Sequence, residues 1–196
     1  MAVGNLAIDR LRLDEAFTGK MMHLQINECF DSSRDERLLV LDDDATKCSR
    51  FGCESDDVER GLVVINDQRR EIVLLAIDNK MLKGIQGGIA DCALFDDKQF
   101  RFVEFKTNAE GNAEKNFSKA TGQLKNTIQV FVDRLQTVNI QFRDAVTLSC
   151  HVVLSHSFPR SQAIMQDFQI AFATDTDGIM LSFDSETQWE EPAESI

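Results

Sequence analysis

Residues 87–106 read GGIADCALFDDKQFRFVEFK. Two apolar runs, 89–95 and 100–107, flank the turn-forming Asp96-Asp97-Lys98, and this pattern predicts two adjacent antiparallel strands. The first run carries Asp91, and the second carries Glu104 and Lys106 with Phe105 between them. An apolar strand gains nothing from carboxylates and an ammonium unless they meet one another or a bound cation. Pairing of the two strands brings Asp91 and Glu104 together, a costly arrangement in a partly dry cleft that a divalent cation relieves. By the two-residue period of a strand, Lys106 shares a face with Glu104, while Phe105 turns to the core and offers its carbonyl as a further hard oxygen.

Outward from this stretch, 61–65 and 70–77 are aliphatic strand-like runs joined by the turn NDQR. After 100–107, the loop NAEGN at 108–112 ends in an N-cap residue. A helix is expected over 114–136, because Phe117, Leu124, Ile128, Phe131 and Leu135 form a stripe at helical steps. AVTLSCHVVLS at 145–155 is a buried strand, a second amphipathic helix runs from Ser161 to about Phe172, and 178–183 forms a last strand. In the N-terminal part, Leu6, Leu11, Leu13, Phe17, Met21, Leu24, Ile26 and Phe30 recur at roughly helical spacing, with Gly19 dividing two helices. RLLVL at 37–41 reads equally as strand or helix end. Asp42, Asp43 and Asp44 lack the alternating ligands, Gly and closing Glu of a calcium loop, so a solvated turn is expected there.

The whole is an α/β layered domain, a single unit over 1–196. Its parts are a helical or irregular region at about 1–60, a core at about 61–185 and an acidic tail at about 186–196. No apolar run approaches the roughly 20 residues that span a bilayer, and no secretory signal opens the chain, so a soluble, cytoplasmic protein is expected. Five scattered cysteines suit a reducing compartment, and neither they nor the histidines have zinc-site spacing.

A net charge of −12 argues against a broadly basic nucleic-acid binder. The charge is unevenly spread. Residues 80–125 hold eight Lys or Arg against six Asp or Glu, whereas no basic residue follows Arg160. Positive charge is thus concentrated around Asp91 and Glu104, where phosphates would need it.

The succession GGIAD, VEFK and a helix carrying GQLKNT resembles the PD-(D/E)XK, or restriction-endonuclease-like, nuclease superfamily. It is nearest to the nuclease domains of bacterial recombination helicase–nucleases and covers about residues 70–155. The resemblance implies a three-layer core, with a central mixed sheet flanked by helices. It also implies Asp91 and Glu104 as ligands of Mg²⁺ or Mn²⁺, Lys106 as the catalytic lysine and Gln123 as the helix residue that reaches the site. The family's further acid falls in the N-terminal region, where Glu15 and Glu28 are candidates and Glu28 is favoured. The branch usually carries Tyr four residues after the Gln; here that residue is Thr127, and the chain has no Tyr.

Lys115, Lys119 and Lys125 lie on the same helix and are candidates for nucleic-acid contact, although each also reads as part of a solvated face. Gly122 costs about 1 kcal/mol relative to Ala within a helix, which suggests close packing or ligand approach. The expected activity is metal-dependent hydrolysis of a nucleic acid, DNA favoured, by a chain that could pair as a homodimer. The alternative is a catalytically inactive member of the same fold that binds a protein partner through its acidic surface.

Overall fold

The computed structural model describes residues 9–18, 26–107, 113–155 and 161–190. Among them, ten strands form two sheets. The larger holds six strands in the order β1 (Phe30–Ser33), β5 (Ile72–Ala76), β6 (Cys92–Phe95), β7 (Gln99–Lys106), β8 (Thr147–Leu154) and β9 (Met180–Ser182). The smaller runs β10 (Glu186–Gln188), β4 (Leu62–Ile65), β2 (Arg37–Asp43) and β3 (Cys48–Phe51).

The larger sheet is mixed. β1, β5, β6 and β7 are antiparallel neighbours, whereas β7–β8 and β8–β9 are parallel. Parallel pairing requires a long crossover, which the chain supplies with α2 (Ala113–Gln136) and the short α3 (Phe142–Ala145) between β7 and β8. α4 (Gln162–Asp175) then connects β8 to β9.

Alternation along β7 decides which layer covers which face. Phe100 and Phe102 belong to the core shared with α2, where Phe117, Leu124, Phe131 and Leu135 are fully buried. The same core takes in Leu13 and Ala16 of α1 (Leu13–Ala16), Phe142 of α3 and Phe172 of α4. Val103 and Phe105 point the other way, into a second core with Leu38, Val40, Leu62 and Val64 of the smaller sheet and Trp189, which follows β10. The fold is α/β, with helices on one face of the mixed sheet and a second sheet on the other. Truncating a residue such as Phe131 or Leu124 to Ala should cost about 2–5 kcal/mol through lost burial and the cavity left behind.

The expected strands at 70–77, 100–107 and 145–155 and the helix at 114–136 are present within a few residues of those bounds. β6 starts at Cys92, so 88–91 approaches the sheet as a loop. The N-terminal reading needs correction. In place of two helices the described residues hold α1, a one-turn 3₁₀ helix at Ile26–Glu28 and then β1. RLLVL resolves as part of β2, buried at Leu38, Val40 and Leu41 against neighbouring strands. Asp42 and Asp43 end that strand, and only Asp44 enters the turn. The tail also starts later than expected: 186–188 is β10, parallel to β4, and Trp189 is 2% exposed. Gly19, the 108–112 loop and its cap, His23, His156 and the end of the acidic tail at 191–196 lie outside the described residues.

Candidate functional site

The site forms where β6 begins and β7 ends. The register pairs Cys92 with Val103, and carrying it back one residue sets Asp91 opposite Glu104 on the α2 face of the sheet. Asp91 Oδ2 accepts the Phe105 backbone N–H at 2.6 Å. Glu104 is 1% exposed and forms an ion pair through Oε1 with Lys106 Nζ. Lys106 Nζ also donates to Gln123 Oε1 at 3.1 Å, and Gln123 Nε2 donates to the Ile89 carbonyl at 3.1 Å. Asp91, Glu104, Lys106 and Gln123 are therefore brought together by two strand ends and one helix face.

Among the described residues, Glu104 Oε2 is buried and has no hydrogen-bond partner. A carboxylate oxygen in that condition carries a large desolvation cost, which a cation can offset. The electrostatics agree. Burial pushes the Glu104 carboxyl up to about 7, with Lys106 pulling against the shift and Asp78 adding to it. Burial also drives Asp91 well above the ordinary carboxylate range, and the charge of Glu104 is the next cause; the Phe105 N–H and Lys106 only partly offset them.

These oxygens fit a small hard divalent cation. Glu104 Oε2 and the oxygen of Asp91 not engaged by Phe105 would hold it, a pair of the kind that magnesium or manganese takes together with waters and phosphate oxygens. Among the described residues, no three His, Cys, Asp or Glu side chains converge as a complete protein cage.

Sequence reasoning missed Asp78. It lies two residues past the end of β5, its backbone N–H donates to the Asp91 carbonyl at 3.2 Å, and its charge acts on Glu104. The signal that flagged Asp91, an acid at the end of an apolar strand, was available at Asp78 too. Asp42, at the end of β2, adds a smaller repulsion to Asp91 from the side of the second sheet.

The remaining candidates are distributed differently. Glu15 pairs with Arg12, which in turn donates to the Val138 carbonyl beyond the C-terminal end of α2; this removes Glu15 from the site. Glu28 is exposed in the 3₁₀ turn, and the adjacent Cys29 carbonyl accepts from Ala76 at the end of β5. Phe105 is 7% exposed, with its side chain in the core between the sheets, so only its backbone serves the site. Lys119 is exposed on α2, and its charge lowers the Glu104 carboxyl slightly, which puts it on the site's side. Lys115 is exposed one turn earlier. Lys125 instead faces α4, where its ammonium pairs with Asp175 and lies 6.0 Å over the Phe172 ring.

The glycines divide as well. Gly87 and Gly88 have φ of 89° and 73°, a left-handed turn that side-chain-bearing residues resist, and a Cβ on Gly88 would stand 3.1 Å from Gln123 Cγ. Close packing does not explain Gly122, because a Cβ there would meet nothing within 4 Å.

No protein-family model, no curated protein and no solved structure matches the chain. The functional reading therefore rests on the residues and their geometry.

Proposed function

We propose that the protein is a metal-dependent nuclease that hydrolyses phosphodiesters, DNA favoured, on a restriction-endonuclease-like core. The observation that carries this reading is the buried Glu104 Oε2, without a hydrogen-bond donor, opposite the half-buried carboxylate of Asp91 and beside a lysine held in place by Gln123. Magnesium or manganese held there would supply a Lewis acid that polarises a phosphoryl oxygen and acidifies a bound water.

The chain's own residues do the rest. Asp91 and Glu104 bind and orient through fixed oxygens, Asp91 being locked by the Phe105 N–H. The carbonyl of Phe105 offers a further oxygen on the same strand. Lys106 presents an ammonium whose position is set by Glu104 and Gln123 together, where it can offset negative charge developing on a scissile phosphate. Lys119 and Lys115 extend positive charge along the exposed start of α2, suited to a phosphate backbone.

A non-catalytic protein-binding module of the same fold is the second reading. The observations favouring it are the net charge of −12 and the engagement of Lys125 by Asp175, which narrow the basic surface available to a polyanion. Nicking of plasmid DNA and degradation of single-stranded DNA at low salt, with Mn²⁺ or Mg²⁺, separate the two. The nuclease reading expects cleavage by the wild type and none by Asp91→Ala. A wild-type protein that cuts neither DNA nor RNA with either metal leaves the binding module as the better account.

A further inference from the structure

The loop that delivers Asp91 is held by three side chains of one helix face. Besides Gln123 on the Ile89 carbonyl, Asn126 Nδ2 donates to the Gly88 carbonyl at 2.6 Å and to the Gln86 carbonyl at 3.0 Å. Thr127 Oγ1 accepts the Ala90 N–H at 2.7 Å and donates to the Gln123 carbonyl at 2.8 Å. Three peptide units ahead of Asp91, those joining 86–87, 88–89 and 89–90, are thus held by residues 123, 126 and 127, which share a face of α2. The double glycine fits the same arrangement, since Cβ atoms on Gly87 and Gly88 would stand 3.3 and 3.1 Å from Asn126 Nδ2 and Gln123 Cγ.

Thr127 is fully buried in this clamp, with its hydroxyl both donating and accepting. A buried hydroxyl with both roles filled is costly to replace by an apolar group, because the Ala90 N–H is then left without an acceptor. Ala90 is the residue directly before Asp91, so the point of greatest leverage lies one peptide from the site.

We propose that Asn126 and Thr127 are positioning residues, which fix the backbone of 86–90 on α2 and thereby set the Asp91 carboxylate against the Phe105 N–H and Glu104. Their purpose in catalysis rests on the nuclease reading above, but the positioning itself can be measured without metal or substrate. It extends that reading to two residues that touch neither Glu104 nor Lys106. The relevant scale is that of groups that orient metal ligands, whose loss costs roughly 10- to 100-fold in affinity.

The test uses the full chain and variants Thr127→Val, Thr127→Ser and Asn126→Ala, each checked for native far-UV circular dichroism. The first readout, in metal-free protein, is the Phe105 amide proton shift by NMR, which reports the hydrogen bond to Asp91. The Phe105 resonance in Asp91→Ala, which has no side-chain acceptor, marks the lost contact. Thr127→Val and Asn126→Ala should move it toward that mark, and Thr127→Ser should restore the wild-type position. A Phe105 amide unchanged in both Thr127→Val and Asn126→Ala overturns the proposal. If Thr127→Val fails to fold, Asn126→Ala against wild type decides alone.

The second readout is Mn²⁺ titration, in which Thr127→Val should bind at least about tenfold more weakly than wild type, with Thr127→Ser within about twofold. Equal Mn²⁺ affinity in wild type and Thr127→Val also overturns the proposal. Failure of the wild type to bind Mn²⁺ sinks the metal reading instead, and the Phe105 shift still decides whether the clamp positions Asp91.

Discussion

Lys106 Nζ pairs with one oxygen of Glu104, two residues earlier on β7, and leaves the other oxygen of that carboxylate buried without a donor. A structural ion pair in a protein interior gains by satisfying both carboxylate oxygens, since the unsatisfied one retains its desolvation cost. The half-satisfied Glu104 is what separates this arrangement from a decorative salt bridge, and the lysine can be tested apart from the acids.

Lys106→Ala should leave the fold and most divalent-metal binding intact, while cleavage falls by roughly 10²-fold or more, the scale of losing one electrostatic stabiliser. Lys106→Arg should not restore it, because a planar guanidinium matches neither the size nor the position of an ammonium held by Glu104 and Gln123. Initial rates of plasmid nicking, with metal affinity measured in parallel, check both statements.

The Glu104 carboxyl, raised to about 7 from an ordinary 4.5, sets a pH dependence with a definite sign. The folded state keeps a proton that the unfolded chain releases across that window. Its contribution to stability is fully present below about pH 4.5 and is lost as pH rises through about 7. Buried His151, lowered to about 4 from 6.5, acts oppositely, since its contribution is present above 6.5 and lost as pH falls toward 4. Comparing Glu104→Gln with wild type cancels the His151 effect. In metal-free urea unfolding, the variant should gain on wild type between pH 5 and 8 by on the order of 2 kcal/mol. A difference independent of pH contradicts the assignment.

Two glycines should respond in opposite directions to the same change. Gly88→Ala places a side chain at φ 73° and against Gln123, so it should destabilise by about 1–3 kcal/mol. Gly122→Ala, in an exposed helix interior with open space around the new methyl, should stabilise by about 0.5–1 kcal/mol. Thermal or urea unfolding of the two variants checks the pair.

The legible parts of this protein were those where pattern and chemistry coincide locally. The Asp96-Asp97-Lys98 turn announced the β6–β7 hairpin, and the Phe117-to-Leu135 stripe announced α2. Asp91, Glu104, Lys106 and Gln123 could be singled out because acids, an ammonium and an amide are conspicuous on apolar elements. The apolar spacing of the N-terminal region fits a helix, whereas Phe30–Ser33 becomes a strand through β5, a partner far along the chain; RLLVL, open between strand and helix end, is decided by pairing with β3 and β4. β10 was hidden for the same reason, since an acidic ETQ gains strand structure only through β4 and the seat for Trp189 between the sheets. Thr127 gave no signal alone. Its role appears once the loop before Asp91 is laid on α2.

Lys119 and Lys125 are six residues apart on one helix, yet they should behave differently toward DNA. Lys119 is exposed on the side of Glu104, whereas Lys125 is tied to Asp175 on α4. Lys119→Ala should weaken DNA binding and lower the salt dependence by about one counterion. Lys125→Ala should leave both unchanged within error. Fluorescence anisotropy with labelled DNA across a salt series measures this directly.

Whether Asp91 and Glu104 together hold one hard divalent cation is read by calorimetric titration of Mn²⁺ at pH 8, where the Glu104 carboxyl is ionised. The wild type should show one site that is lost in both Asp91→Ala and Glu104→Gln, with native circular dichroism retained. Equal Mn²⁺ binding by the wild type and the two variants, or none by a folded wild type, would contradict a shared site.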